Sequence, residues 1–136
     1  MHYKMRDQIR FKIGKEEKNI QEKWIEIPEG TEHIQMMIEM PEEFQYMAFL
    51  FLEDPKKEIR FQKLLGYGQQ NPGIGKSTKD TTIGGVPGEI YPGTWKIGIG
   101  IFTEYVAQKL GEQTGEIVLT VSDRKDVVSD PIGGEC

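Results

Sequence analysis

Cysteine is almost absent from this sequence: Cys136, the last of 136 residues, is the only one. No disulfide can form within the chain, and a site built on several thiolates is excluded. Histidine is nearly as scarce, with only His2 and His33. Neither His-x-His nor His-Glu-x-x-His occurs, so the spacing that builds a histidine-rich metal centre is missing, and no metal or cofactor is expected. Positive charge is also short. The formal net charge is -5, whereas affinity for nucleic acid rests largely on Lys and Arg neutralising phosphates, so nucleic acid is not an expected partner. Long apolar runs are missing too. The longest, Tyr46 to Leu52, falls far short of the roughly 20 residues that span a bilayer. No signal-peptide core follows the basic start. The expectation is a cytoplasmic protein with no membrane partner.

What is present is an ordinary globular composition, 37% hydrophobic and 29% charged, too apolar for a disordered chain. The length suits one domain, and a domain of this size buries roughly two-thirds of its unfolded surface. A domain over residues 1–122 is expected, followed by a polar tail or linker over 123–136.

Strand-like segments recur at short intervals between turn residues. Ile9, Phe11 and Ile13 alternate with Arg10 and Lys12, which makes the basic N-terminal stretch a strand with a solvated face. Asn19 to Ile27 follows and stops at Pro28-Glu29-Gly30. Ile34, Met36, Ile38 and Met40 alternate to Pro41. Tyr46 to Leu52 is apolar on both faces, the signature of a central strand buried on both sides. Ile59 and Phe61 mark the next strand, and a glycine-rich loop is expected from Gly66 to about Lys79. Thr81 to Ile83 and Val86 to Ile90 read as short extended pieces. Trp95, Ile97, Ile99 and Ile101 share one face of a strand whose other face carries Lys96, Gly98 and Gly100. Glycines there suggest a bulge or the close approach of another backbone. Thr103 to Leu110 fits either helical turns or a longer hairpin, and Glu116 to Ser122 closes the set. The pattern predicts an all-β, two-sheet antiparallel sandwich of about eight strands, jelly-roll-like.

Candidate chemistries are thin. Gly73-Ile74-Gly75-Lys76-Ser77-Thr78 resembles the end of a phosphate-binding loop, but Gln70 stands where its first glycine belongs and no helix follows. A flexible surface loop is expected instead. Gly66-Tyr67-Gly68 and Gly98-Ile99-Gly100 lack the third glycine of a dinucleotide fingerprint. No nucleophile-elbow sequence surrounds Ser77, Ser122 or Ser129. Trp24 and Trp95 lie within alternating strands, and both are expected in the core. Tyr67 and Tyr91 lie in turns and are freer to face a ligand.

Trp24-Ile25-Glu26-Ile27-Pro28-Glu29-Gly30-Thr31-Glu32-His33-Ile34 resembles an opening found upstream of bacterial metal-dependent phosphoesterases of the polymerase-and-histidinol-phosphatase (PHP) superfamily. The resemblance continues through Phe51-Leu52-Glu53-Asp54-Pro55 and through Pro87-Gly88-Glu89-Ile90-Tyr91-Pro92-Gly93-Thr94-Trp95, and covers roughly residues 18 to 122. Pro-Gly-Thr-Trp strands also occur in pre-peptidase C-terminal domains. The resemblance implies a jelly-roll accessory domain without the catalytic domain, whose His-x-His is absent here. The expected function is therefore a non-catalytic module that binds a ligand or protein. The ligand expected is a glycan or an anion, taken by Tyr67, Gln69, Lys76, Lys79 and Tyr91, with Lys63 adding positive charge. The alternative is a docking or lid domain for a metal-dependent phosphoesterase encoded downstream or separately; a stand-alone hydrolase is a third option.

Overall fold

The computed structural model describes residues 5–124, 128 and 130–133. Its strands are β1 (Arg6–Ile13), β2 (Ile20–Ile27), β3 (His33–Met40), β4 (Ala48–Glu53), β5 (Ile59–Leu64), β6 (Gly68–Gln70), β7 (Gly73–Gly75), β8 (Gly93–Ile101) and β9 (Gly115–Ser122). One helix, α1 (Thr103–Leu110), links β8 to β9. Two antiparallel sheets face each other. The first has the order β1-β9-β3-β6, with β7 also on β3; the second has the order β2-β8-β4-β5. Since β6 and β7 lie end to end along β3, they fill one strand position. Eight positions remain, and the chain changes sheet at nearly every connection. That is a jelly roll.

The alternating strands account for the core. Ile9, Phe11 and Ile13 on β1, the even-numbered residues from Ile34 to Met40 on β3, and Ile117, Leu119 and Val121 on β9 fill the inner face of the first sheet. Ile25, Ile27, Ala48, Leu50, Leu52, Trp95, Ile97, Ile99 and Ile101 meet them from the second. Register shifts between Leu52 and Glu53, so that Ile59 and Phe61 are paired while Arg60 is not. This bulge turns Arg60 inward beside Phe61. There its guanidinium lies 3.4 Å from Asp54 and donates to the carbonyls of Val86 and Glu89. Trp95 sits 5.4 Å from the same guanidinium and donates its indole N–H to the carbonyl of Tyr91.

The stretch expected as a glycine-rich flexible loop is instead an edge. Pro72, which has no N–H, interrupts it between β6 and β7. Beyond Pro72 the hydroxyls of Thr82 and Thr81 accept from the N–H groups of Gly73 and Gly75, occupying donors that an edge strand would otherwise expose. Thr81 to Ile83 holds a turn and the isolated bridge from Thr82 to Pro131, and Val86 to Ile90 is irregular, so neither segment adds a strand. The described part of the 123–136 segment lies against this edge. Ile83 donates to the Asp130 carbonyl, while Ile132 and Gly133 donate to those of Thr81 and Thr78.

Both described chain ends leave from one end of the sandwich, where the Met5 N–H reaches the Asp123 carboxylate at 3.5 Å. The β1–β2 turn, α1 and the Phe44–Met47 segment lie at the opposite end. No helix among the described residues is long and apolar enough to cross a membrane, which leaves strand-built spans aside.

Candidate functional site

A two-layer fold covers only one face of each sheet, so the outward face of the second sheet needs its own account. Strand pairing sets Ile20 opposite Gly100, Gly100 opposite Phe49, and Phe49 opposite Leu64. Cross-strand partners share a face, so these four residues form one row across the sheet. Three carry apolar side chains, and the fourth carries none. A β-carbon built on Gly100 would meet nothing nearer than the Phe49 carbonyl oxygen at 4.0 Å, so the middle of the row is open. In the next row, Gly98 is covered by the ring of Phe51, which occupies the space a β-carbon would need. The glycines of β8 therefore serve a ring and a hollow, not a neighbouring backbone.

Walls rise around Gly100 from two other places. Tyr46 and Met47 enter from the β3–β4 connection, and Phe102 and Tyr105 enter from α1. The resulting hollow has a volume of about 770 Å³ and is lined by Asn19, Ile20, Tyr46, Met47, Phe49, Leu64, Gly100, Ile101, Phe102 and Tyr105. Phe102 is 76% exposed, and Ile20, Tyr46, Phe49, Leu64 and Tyr105 are all exposed as well. Scattered exposed hydrophobics are normal on a protein surface, whereas six gathered around one hollow make a contiguous apolar patch.

Two local features hold this wall in place. Tyr46 has φ +59°, a left-handed backbone that bulky residues seldom adopt. It is kept there by its N–H donating to the Leu65 carbonyl at 2.8 Å, with the ring beside Gly66. Left-handed backbone at a non-glycine residue costs of order 1–2 kcal/mol and concentrates at binding sites. On the other side, the Asn19 side-chain oxygen accepts from both the backbone N–H and the hydroxyl of Thr103, at 3.1 and 2.9 Å. It thereby satisfies an otherwise unpaired N–H of the first helical turn, as an N-cap residue would. Gly111, with φ +65°, ends the helix.

The residues singled out from the sequence fall at the two opposite ends. Tyr67 and Gln69 lie on and beside β6, at the end that carries the hollow; Tyr67 is exposed, and Gln69 donates to the Asn71 side chain. Lys76, Lys79 and Tyr91 lie at the end from which the termini leave. Lys76 stands 3.8 Å from both Glu32 and Glu89, so two carboxylates already balance its charge. Tyr91 packs under the Lys56 ammonium at 4.2 Å. Lys79 is exposed, and Lys63 is half-buried on the inner side of β5, opposite Leu50. The structure therefore does not bring Tyr67 and Gln69 together with Lys76, Lys79 and Tyr91.

At the terminal end, a second hollow of about 610 Å³ is lined by Thr31, Glu32, His33, Lys76, Asp80 and Asp123 among others. His33 is buried there and shares a hydrogen bond with Gln35 at 2.9 Å. Among the described residues no group of three or more His, Cys, Asp or Glu is arranged to hold a metal ion.

Trp24 was expected in the core, and the structure places it outside. Ile25 and Ile27 face inward, so alternation points Trp24 to solvent, where it is 61% exposed. That parity was visible in the sequence. So was the clue to the hollow, because a strand apolar on both faces has one face to spare in a two-layer fold. No protein-family model matches the chain, and no curated protein matches it.

Proposed function

We propose that this chain is a non-catalytic jelly-roll accessory module that docks a protein partner through the hollow over Gly100. The observation that carries the reading is the gathering of Ile20, Tyr46, Phe49, Leu64, Phe102 and Tyr105, all exposed, around one concavity. The hollow lies at the end opposite the emerging chain ends, so a module tethered there would present it outward. Its lining favours a protein over a sugar. Asn19 already uses its side-chain oxygen on Thr103, which leaves little besides the tyrosine hydroxyls to satisfy a sugar. Each buried hydroxyl left unpaired costs about 1–3 kcal/mol. Aromatic and aliphatic anchors packed into a pocket are instead what dominates protein–protein affinity.

The resemblance to accessory domains of PHP-superfamily phosphoesterases supports the same reading and names the first partner to test: a metal-dependent phosphoesterase domain encoded downstream or separately. The proposed compartment is the cytoplasm, in keeping with a chain that has one cysteine. Calorimetric titration of the full chain with that domain tests the proposal. Binding is expected, and Phe102→Ser and Phe49→Ser should each weaken it at least tenfold while the circular dichroism spectrum stays unchanged. Binding unaffected by both variants would reject the hollow as the docking surface.

A further inference from the structure

We infer that the occupant of this face is a protein segment carrying bulky apolar side chains for the hollow and an arginine or lysine about 14 Å away, for Trp24. The inference rests on the docking role proposed for the hollow. Ile20 and Trp24 lie on the same side of β2 because they are four residues apart, which at roughly 3.4 Å per residue separates them by about 14 Å. One continuous outward face therefore runs from the hollow, past the ring of Phe51, to Trp24.

The two halves of that face differ in charge. Around the hollow it is apolar. Around Trp24 it is acidic, because Glu22 and Glu26 flank the indole along β2 and Glu53 lies on the same face of β4. Lys96, paired with Trp24 across the strands, is the cation of this region. Its ammonium lies 3.0 Å from Glu22 and 3.7 Å from Glu53, so it is already engaged by carboxylates. Glu26 accepts the hydroxyl of Thr94 and forms no ion pair among the described residues. No cation lies over the Trp24 ring among the described residues. Beside α1, Glu104 lines a smaller depression with Phe102 and Tyr105, adding negative charge at the far rim.

An exposed indole between carboxylates suits a cation. A guanidinium can stack on the ring face, where the indole quadrupole attracts it, while it donates to the Glu26 carboxylate. Like charge on the partner would meet Glu22, Glu26 and Glu53 together, so this half of the face sets specificity and the hollow supplies most of the affinity.

The test uses three synthetic peptides on an alternating Ser/Thr background. All carry phenylalanine, and four residues later they carry arginine, alanine or glutamate; an extended chain puts both side chains on one face. Each is titrated into the full-length protein by NMR, with the backbone N–H of Gly100, beneath the hollow, as reporter. The arginine peptide is expected to bind at least tenfold more tightly than the glutamate peptide at low salt, with the gap narrowing at about 1 M salt, where the screening length falls to about 3 Å. Trp24→Ala and Glu26→Gln should each shrink the gap without abolishing binding of the alanine peptide. Equal affinity of the arginine and glutamate peptides would overturn the inference and leave the hollow standing. Arginine-peptide binding that survives Phe102→Ser unchanged, or no binding by any peptide, would overturn the docking reading itself.

Discussion

The ring of Phe51 fills the space above Gly98 in which a β-carbon would stand, while the space above Gly100, two residues along the same strand, is empty. The same substitution should therefore have opposite consequences at the two positions. Gly98→Ala forces the ring off its site and should destabilise the fold by about 1–3 kcal/mol, the usual range for overpacking. Gly100→Ala meets no neighbour, so stability should stay within about 0.5 kcal/mol of the parent, as at other uncrowded surface positions. Its methyl group would instead raise the floor of the hollow and weaken partner binding. Urea titration and a binding isotherm on the two variants separate the effects.

The buried pair Asp54–Arg60 anchors the bulged end of β5. Both side chains are almost wholly enclosed, and Asp54 also accepts the N–H groups of Lys56 and Glu58 at 2.8 and 3.0 Å. Asp54→Ala strands a buried guanidinium and should cost about 3–5 kcal/mol. The double variant Asp54→Leu with Arg60→Met, which removes both charges, should recover part of that loss. Chemical denaturation of the single and double variants measures the recovery.

Asn19 ties the start of α1 to the start of β2. Asn19→Ala removes the acceptor for the Thr103 N–H and should lower stability by about 0.5–2 kcal/mol, as loss of a helix cap does. Amide exchange at Thr103 should accelerate more than exchange in the middle of β8, since fraying begins at the end that lost its partner.

Ending the chain at Arg124 removes the three backbone hydrogen bonds that join Asp130, Ile132 and Gly133 to the Thr78–Ile83 stretch. It also uncovers Gly73, over which the Val128 side chain lies close to His33. At about 1 kcal/mol net for each hydrogen bond, the shortened chain should melt several degrees lower, with exchange protection lost first at Ile83, whose N–H loses the Asp130 carbonyl. A melting temperature equal to that of the full chain would show that this segment contributes nothing to the fold.

Lys96 carries a pH signature. A hydrogen bond from its ammonium to Glu22, aided by the charges of Glu22 and Glu53 and opposed by desolvation, raises its pKa above the ordinary 10.5. A raised lysine pKa stabilises the fold at every pH below the ordinary value, and that contribution is lost as pH rises through the raised one. Glu22→Gln should bring the Lys96 titration, followed by NMR of its side-chain carbons, down towards the ordinary lysine value.

Much of the architecture was legible in the chain. Alternation in Ile9 to Ile13, Ile34 to Met40 and Trp95 to Ile101 specifies which side chains are buried, because a strand has a period of two and turn residues punctuate it. The segment Tyr46 to Leu52 was legible as an apolar strand but not as a half-covered one. Its composition records that both faces are apolar; it does not record that only one receives a partner sheet. Trp24 shows the same limit, since its parity with Ile25 points outward while its size suggests the core.

Composition and local pattern thus determined an all-β sandwich, the buried face of the strands that alternate cleanly, and the scarcity of metal-ligating side chains. Tertiary structure alone decided that Gly66 to Lys79 becomes an edge and that Tyr67 and Lys76 fall at opposite ends. It alone brought Ile20, Phe49, Leu64, Phe102 and Tyr105 around Gly100. The reason is physical. Alternation is a property of neighbours along one strand, whereas the hollow is made by four strands and a helix whose contacts span much of the chain, and only sheet order and register bring them together.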